Sequence, residues 1–450
     1  MKLNNFNYNS MKQRLSLLIA LCAIALGLSA QTTLNEIRGD KNLAGGNMAV
    51  YPVPTEALTP APKGYQPFYL SHYARHGSRY RINATDYTQP IETLKKAKEN
   101  GVLTAEGEKI LNLLEVTLEA AKDRYGDLTK VGALQHRGIG HRMYDNFPEI
   151  FKKEIEVDAR STTVIRSILS KVNECMELQS LNGKLHFTND ASPHDMYYMN
   201  HNDPLLNQLL RQPLFAKVMS GEALERSTTP DRLMKVLFNN QDYVRWAVNA
   251  SSLMNQLLDI ATSYQDMDFT PDFNLLDYFT PEECYDFFQS GNLFWYLAYG
   301  PAKETRGLMP FRMAPLLENI LDTADAALAA DKESATLRFG HDTIIMPLAA
   351  LLELNQWGNA VDDLSKLADV YPDYNLIPMA SNIQIVFYKN KKTDDVLVKF
   401  MLNERECTIP VATDMAPYYH WKDVKQFYHT KLDNFAKTRA ELAKEFPDVK

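Results

Sequence analysis

Cysteine is nearly absent from this 450-residue chain, which carries four: Cys22, Cys175, Cys284 and Cys407. A scaffold organised by disulfides is therefore excluded. Once a leader carrying Cys22 is removed, three thiols remain and at most one bridge can form within the chain. Cys175 falls on an apolar helical face and reads as a core residue. Long apolar runs are just as scarce: beyond the N-terminus none is long enough to span a bilayer, so no membrane span is expected. An excess of positive charge is missing too. The formal net charge is −8, the wrong sign for a nucleic-acid partner. The chain has no internal repeat and no low-complexity segment. Metal-ligand spacing is lacking as well, since His72 and His76 lie on a strand signal with no acidic partner pattern, and no metal is expected.

What is present begins with processing. Lys12 and Arg14 precede the apolar run Leu15 to Leu28, and Leu28-Ser29-Ala30 resembles a small-residue cleavage site. Residues 1–30 are expected to be an export leader starting at Met1 or Met11, leaving a periplasmic or secreted protein. Leu21 is too large to precede a lipidated Cys22. The hydrophobic content of 45% is ample for a large core in two or three domain-sized units. Pro52, Pro54, Pro60 and Pro62 make residues 31–65 an irregular surface lead-in. Residues 66–189 alternate strand and helix signals and read as the first part of an α/β core. Strand signals then vanish over 190–330, where helical runs follow one another; this is an inserted helical domain. Its aromatic residues, among them Phe287, Phe294 and Trp295, read as core packing. The α/β pattern resumes over 331–450, with a hairpin expected between Asn382–Tyr388 and Val396–Leu402.

Three strand ends deliver the chemistry. Phe68 to Ala74 reads as a buried strand and breaks at Gly77, within Arg75-His76-Gly77-Ser78-Arg79-Tyr80-Arg81. Cations this dense repel one another unless an anion binds among them. Arg75 and Arg79 are forked donors suited to a phosphate, and His76 between them offers an imidazole nitrogen as nucleophile. A second strand, Ile155 to Ala159, ends at Arg160. A third, Ala335 to Phe339, ends at His341 and Asp342. Open α/β sheets bind ligands at that edge. Phosphate monoester cleavage needs such a set, because a catalyst must lower the barrier by on the order of 20 kcal/mol or more. Charge stabilisation supplies most of it, and an acid, assigned to Asp342, protonates the leaving alkoxide. An acidic pH optimum is expected.

Arg75-His76-Gly77-Ser78-Arg79 together with Gly340-His341-Asp342-Thr343 resembles the histidine acid phosphatase family, which includes phytases and multiple inositol polyphosphate phosphatases. Leu128-Thr129 with Gly132 to His136, Asp158 to Arg166, and Phe387-Tyr388 through Glu404 resemble further family segments. The resemblance implies a mixed sheet flanked by helices with an inserted all-helical cap, and no cofactor. It also implies that Arg75, Arg79, Arg160 and His341 hold the phosphate, that a phosphohistidine forms on His76, and that Asp342 donates the proton. Two departures bear on substrate. Arg81 stands where the family loop has proline, making it a candidate additional substrate contact. His341-Asp342 stands where inositol polyphosphate phosphatases often carry His-Ala-Glu. Inositol polyphosphates such as phytate lead as substrates, with oligomeric state left open. A broad acid phosphatase for sugar phosphates or nucleotides is the rival, and a narrow, largely neutral rim would favour it. A phosphate-transferring mutase and a non-catalytic polyanion binder complete the set.

Overall fold

A computed structural model describes residues 32–222 and 229–449. The expected leader lies outside them. At the centre is an eight-stranded mixed sheet in the order β3-β2-β4-β1-β5-β6-β7, with β8 paired to β6. The strands are β1 (Tyr65–Arg75), β2 (Ile155–Ser161), β3 (Leu185–Asp190), β4 (Ser334–Gly340), β5 (Asn382–Asn390), β6 (Val396–Leu402), β7 (Arg405–Cys407) and β8 (Tyr419–His420). Strands β3, β2, β4 and β1 run parallel, while β5 and β6 close the sheet antiparallel as the expected hairpin. From Pro67 onward every residue of β1 is buried, as a strand covered by helices on both faces must be.

One face of the sheet packs on α4 (Lys130–Asn146) and α5 (Ile165–Leu181), through Ile139, Met143, Cys175 and Leu178 against Leu70, Ala74 and Val157. The other face packs on α8 (Ala314–Ala330), α9 (Asp342–Leu351) and α10 (Trp421–Glu445), through Ile320, Ile345 and Tyr428 against Tyr69, Ile385 and Phe400. The N-cap hydroxyls of Thr104 and Thr129 accept from the amides of Gly107 and Gly132. They start α3 (Ala105–Ala121) and α4, as the sequence signals require.

The helical unit is assembled differently from the expected 190–330 block. Its core joins α2 (Thr85–Glu99) and α3 to α6 (Ala250–Ser263) and α7 (Pro281–Tyr299), through Leu94, Ile110, Leu257 and Phe288. Helices α2 and α3 thus belong to it by packing although they precede β2. Helix α8 leaves it for the sheet. The lead-in also needs correction. Residues 32–48 form helix α1 (Thr32–Gly39) and a 3-10 segment, Lys41–Met48, with Ile37, Ala44 and Met48 buried. A fully buried Ile or Met side chain contributes about 1.5–3 kcal/mol, so burial of Ile37 and Met48 holds these turns despite their glycines. All three described cysteines are buried and free. Among the described residues no helix is long and apolar enough to cross a membrane.

Candidate active site

The C-terminal ends of β1 and β4 lie side by side, with Arg75 in register with Gly340. The loop that leaves β1 has every backbone group around His76 engaged. The amide of His76 donates to Gly340 O, its carbonyl accepts from the amide of Ala380, and the amide of Gly77 donates to Ser170 Oγ. Glycine is required at position 77 because the loop touches the first turn of α4: a Cβ there would lie 2.4 Å from Gly132 O. His76 Nδ1 is 2.9 Å from Gly77 O. A carbonyl only accepts, so Nδ1 carries the proton and Nε2 holds a bare lone pair. Burial, then the fields of Arg75, Arg166 and Arg79, hold the His76 pKa well below 6.5 and keep the ring neutral.

Opposite stand His341 and Asp342, where β4 turns into α9. The two imidazoles, His76 and His341, are 5.7 Å apart, edge to face. His341 Nε2 meets Thr162 Oγ1 at 3.1 Å. Burial, followed by the surrounding arginines, pushes its pKa down to about 4 although Asp342 pulls the other way. Arg75 Nη2 pairs with Asp342 Oδ2 at 2.8 Å. The same oxygen accepts from Asn47 Nδ2 at 2.9 Å, and the amide of Thr343 donates to Oδ1. Burial alone would raise the Asp342 pKa. Arg75, His341, Arg79 and the Asn47 amide outweigh it and hold the carboxyl below its ordinary value. Arg75 is itself fixed through Nη1 to the carbonyls of Asn47 and Ile377. Asn47 was missed by the sequence analysis, which placed it in an irregular lead-in.

Four of the expected residues thus gather here: Arg75, His76, His341 and Asp342. Arg79 joins them, buried, with burial and then Arg75 and Arg81 lowering its pKa to about 9. Arg160 does not. Its guanidinium is spent on Asp158 at 3.0 Å and Asp195 at 2.9 Å. Besides Arg75 and Arg79, the cation whose field reaches both His76 and His341 is Arg166. It lies in the first turn of α5 and was missed, although it ends the family-like segment Asp158 to Arg166. Among the described residues its Nε has no hydrogen-bond partner. Arg81 is paired with Asp259 and, at 3.6 Å, Asp86.

A cleft of about 350 Å³ opens beside the loop that follows His76, walled by Asn47, Arg79, Arg81, Asp259 and Asp373 and by Phe287, Phe294 and Trp295 of α7. Phe287 and Trp295 pack against the cores as expected, and with Phe294 these half-buried rings also face this opening. Among the described residues no group of His, Cys, Asp and Glu is arranged to hold a metal ion.

A family model described as histidine phosphatase superfamily, branch 2, matches residues 73–403, well over half of the chain. The chain belongs to this superfamily. No curated protein matches it. Among solved structures, the Bifidobacterium longum multiple inositol polyphosphate phosphatase in complex with inositol hexasulfate superposes with a TM-score of 0.67 at 20% identity, over 85% of this chain and 96% of that one. The D. castellii phytase gives 0.64 at 15% identity, over 87% of this chain and 85% of that one. These are likenesses of fold. The histidine phosphatase match runs from the end of β1, just before His76, across Arg166, past His341 and Asp342, and so spans the whole cluster apart from Asn47.

Proposed function

We propose that this histidine phosphatase cleaves phosphate monoesters through a phosphohistidine on His76. The observation that carries the proposal is the His76 tautomer: Nδ1–H is tied to Gly77 O, leaving Nε2 as a nucleophile among Arg75, Arg79 and Arg166. The Nε2 lone pair attacks phosphorus and the bond from phosphorus to the ester oxygen breaks. Asp342 gives its proton to the departing alkoxide. Water then attacks the phosphohistidine, returns a proton to Asp342, and releases inorganic phosphate. Arg75, Arg79, Arg166 and His341 stabilise the phosphoryl oxygens throughout.

Asp342 is ionised in the free protein, so its proton must arrive with the substrate. A phosphate monoester has a second pKa of about 6. Below that it enters as the monoanion and carries the proton Asp342 needs. The bound phosphate also occupies the arginines that keep the carboxyl acidic. The activity optimum therefore falls on the acid side of about pH 6, where His76 remains neutral.

Inositol polyphosphates are the leading substrates, supported by the names of the two solved neighbours and by the Arg79–Arg81 wall of the cleft. One observation favours the rival, a broad acid phosphatase. The described cleft sets Asp259 and Asp373 against Arg79 and Arg81 and adds the flat faces of Phe294 and Trp295, which suit an aryl or nucleoside ester. On sequence grounds we also hold residues 1–30 to be an export leader. The test compares phosphate release from phytate, a nucleoside monophosphate and an aryl phosphate by wild type and His76→Ala. Phytate preferred, with the variant dead, supports the first reading. Aryl and nucleoside esters preferred moves the substrate to the second. No release from any ester refutes both.

A further inference from the structure

One peptide group beside the nucleophile is held by a side chain from a distance. The carbonyl of Arg75 lies at the end of β1 and accepts from His136 Nε2 at 3.1 Å. His136 is fully buried in α4, and its Nδ1 is 2.9 Å from Glu174 Oε2 of α5, also fully buried. The second Glu174 oxygen is 3.2 Å from His72 Nε2 on β1. Burial pushes the His72 pKa to about 4, so that ring is neutral.

The proton positions follow from the chemistry of the partners. A carbonyl cannot donate, so His136 Nε2 carries a hydrogen. The short contact between Nδ1 and Oε2 then requires one further proton between them, whether written as imidazolium with carboxylate or imidazole with carboxylic acid. In either form the pair is neutral overall, as a fully buried pair must be to escape the cost of an isolated charge. A buried pair with a purely packing role could end on each other. This one ends on the peptide that precedes His76.

We infer that His136, oriented by Glu174, is a positioning residue for the nucleophile, fixing the Arg75–His76 peptide from behind while Ser170 of α5 fixes Gly77. The two helices are joined by the Glu174–His136 contact, and each gives one bond to the catalytic loop. Together they hold the ring of His76 at a set distance from the phosphoryl group. The phosphate-binding guanidiniums are held by other contacts, Arg75 by the carbonyls of Asn47 and Ile377. Loss of the clamp should therefore slow phosphoryl transfer and leave phosphate affinity alone. This inference rests on the phosphatase reading of the site.

The test measures kcat, KM and the inhibition constant of inorganic phosphate for His136→Ala, His136→Gln and Glu174→Gln. A misplaced nucleophile costs about tenfold or more in rate, so His136→Ala should lose at least that in kcat with phosphate inhibition unchanged. Gln at position 136 retains an N–H donor and should recover most of kcat. Gln at position 174 can donate to Nδ1 and leave Nε2–H on the carbonyl, so it should stay near wild type. A folded His136→Ala with wild-type kcat overturns the inference, as does a His136→Gln no better than the alanine variant. Nitrogen-15 NMR of the histidines in the intact wild type supplies a reading independent of folding and turnover, with His136→Gln used for assignment. Nε2 of His136 should be protonated and hydrogen-bonded; a bare Nε2 overturns the clamp. If wild type releases no phosphate from any ester, the reading of the site fails while the NMR result still decides the clamp.

Discussion

Two arginines six residues apart, Arg160 at the end of β2 and Arg166 in the first turn of α5, make opposite predictions. Arg166 faces the anion site with its Nε lacking a hydrogen-bond partner among the described residues, and its charge is felt by His76 and His341. Removing a preorganised donor aimed at developing charge costs about 10²–10³ in rate, or about 2.7–4 kcal/mol. Arg166→Ala should therefore lose about that factor in kcat/KM on an aryl phosphate. Arg160→Ala should not. Its guanidinium is one-third exposed and engaged by Asp158 and Asp195, and no charge of the cluster acts through it. Its loss appears in stability instead. Asp195 is left buried without its partner, worth about 1–3 kcal/mol, which lowers Tm by a few degrees in a protein of this size. Steady-state kinetics on aryl phosphate, paired with thermal melts, separates the two. An Arg160→Ala enzyme as crippled as Arg166→Ala, or a fully active Arg166→Ala, would refute the assignment of charge to this site.

Asp342→Asn should lower kcat by about 10²–10⁴ on alkyl esters, where the leaving group must be protonated. Its loss on p-nitrophenyl phosphate should be much smaller, because that anion departs unaided; equal losses on both would remove Asp342 from the donor role. Asn47→Ala deletes a donor that favours the Asp342 carboxylate, so the pKa of Asp342 rises. The protonated donor then persists further toward neutrality, and the descending limb of the pH–rate profile should move to higher pH. An unmoved limb would break the link. Gly77→Ala drives a methyl into the Gly132 backbone, where neither partner is a flexible side chain. Overpacking of this kind costs about 1–3 kcal/mol, read as a lower Tm or loss of soluble protein; an unchanged melt would contradict the close approach.

Much of this arrangement was legible because the sheet is buried. Strands β1, β2, β4, β5 and β6 announce themselves as apolar runs that stop at polar turns, and the turns carry His76, His341 and Asp342. Strand β3 was not read, because only Leu185 and little else along it is buried and no alternation survives at a polar edge. Arg160 was chosen by the rule that strand ends bear ligands. Yet Asp158 and Arg160 share one face of β2, as residues two apart must, and the carboxylate two positions back captures the guanidinium. The cation that serves the site comes after the turn, from the first turn of α5, where nothing in periodicity sets it apart. Asn47 was hidden for another reason. Its segment is rich in glycine and followed by prolines, and the helical turns that deliver it are stabilised by burial against α6 and α7, contacts that no local signal records.

Two arginines of the site are paired with carboxylates in advance, and this bears on how the acid is armed. Arg75 is neutralised by Asp342 and Arg81 by Asp259. Asp266 and Asp373, buried nearby, are pushed by burial to pKa values of about 7 despite the pull of Arg75. A phosphate entering this nest competes with Asp342 for the same guanidinium. As its oxygens take the Arg75 donors, Asp342 loses the attraction that kept it ionised and gains a repelling neighbour, and both changes raise its proton affinity. Binding and protonation are thus coupled through one residue. The carboxyl stays charged while the site is empty, which holds Arg75 in place. On the proposed route it accepts a proton when the ester that needs it arrives, and once the phosphohistidine is hydrolysed and phosphate has left it would return to its pairing with Arg75.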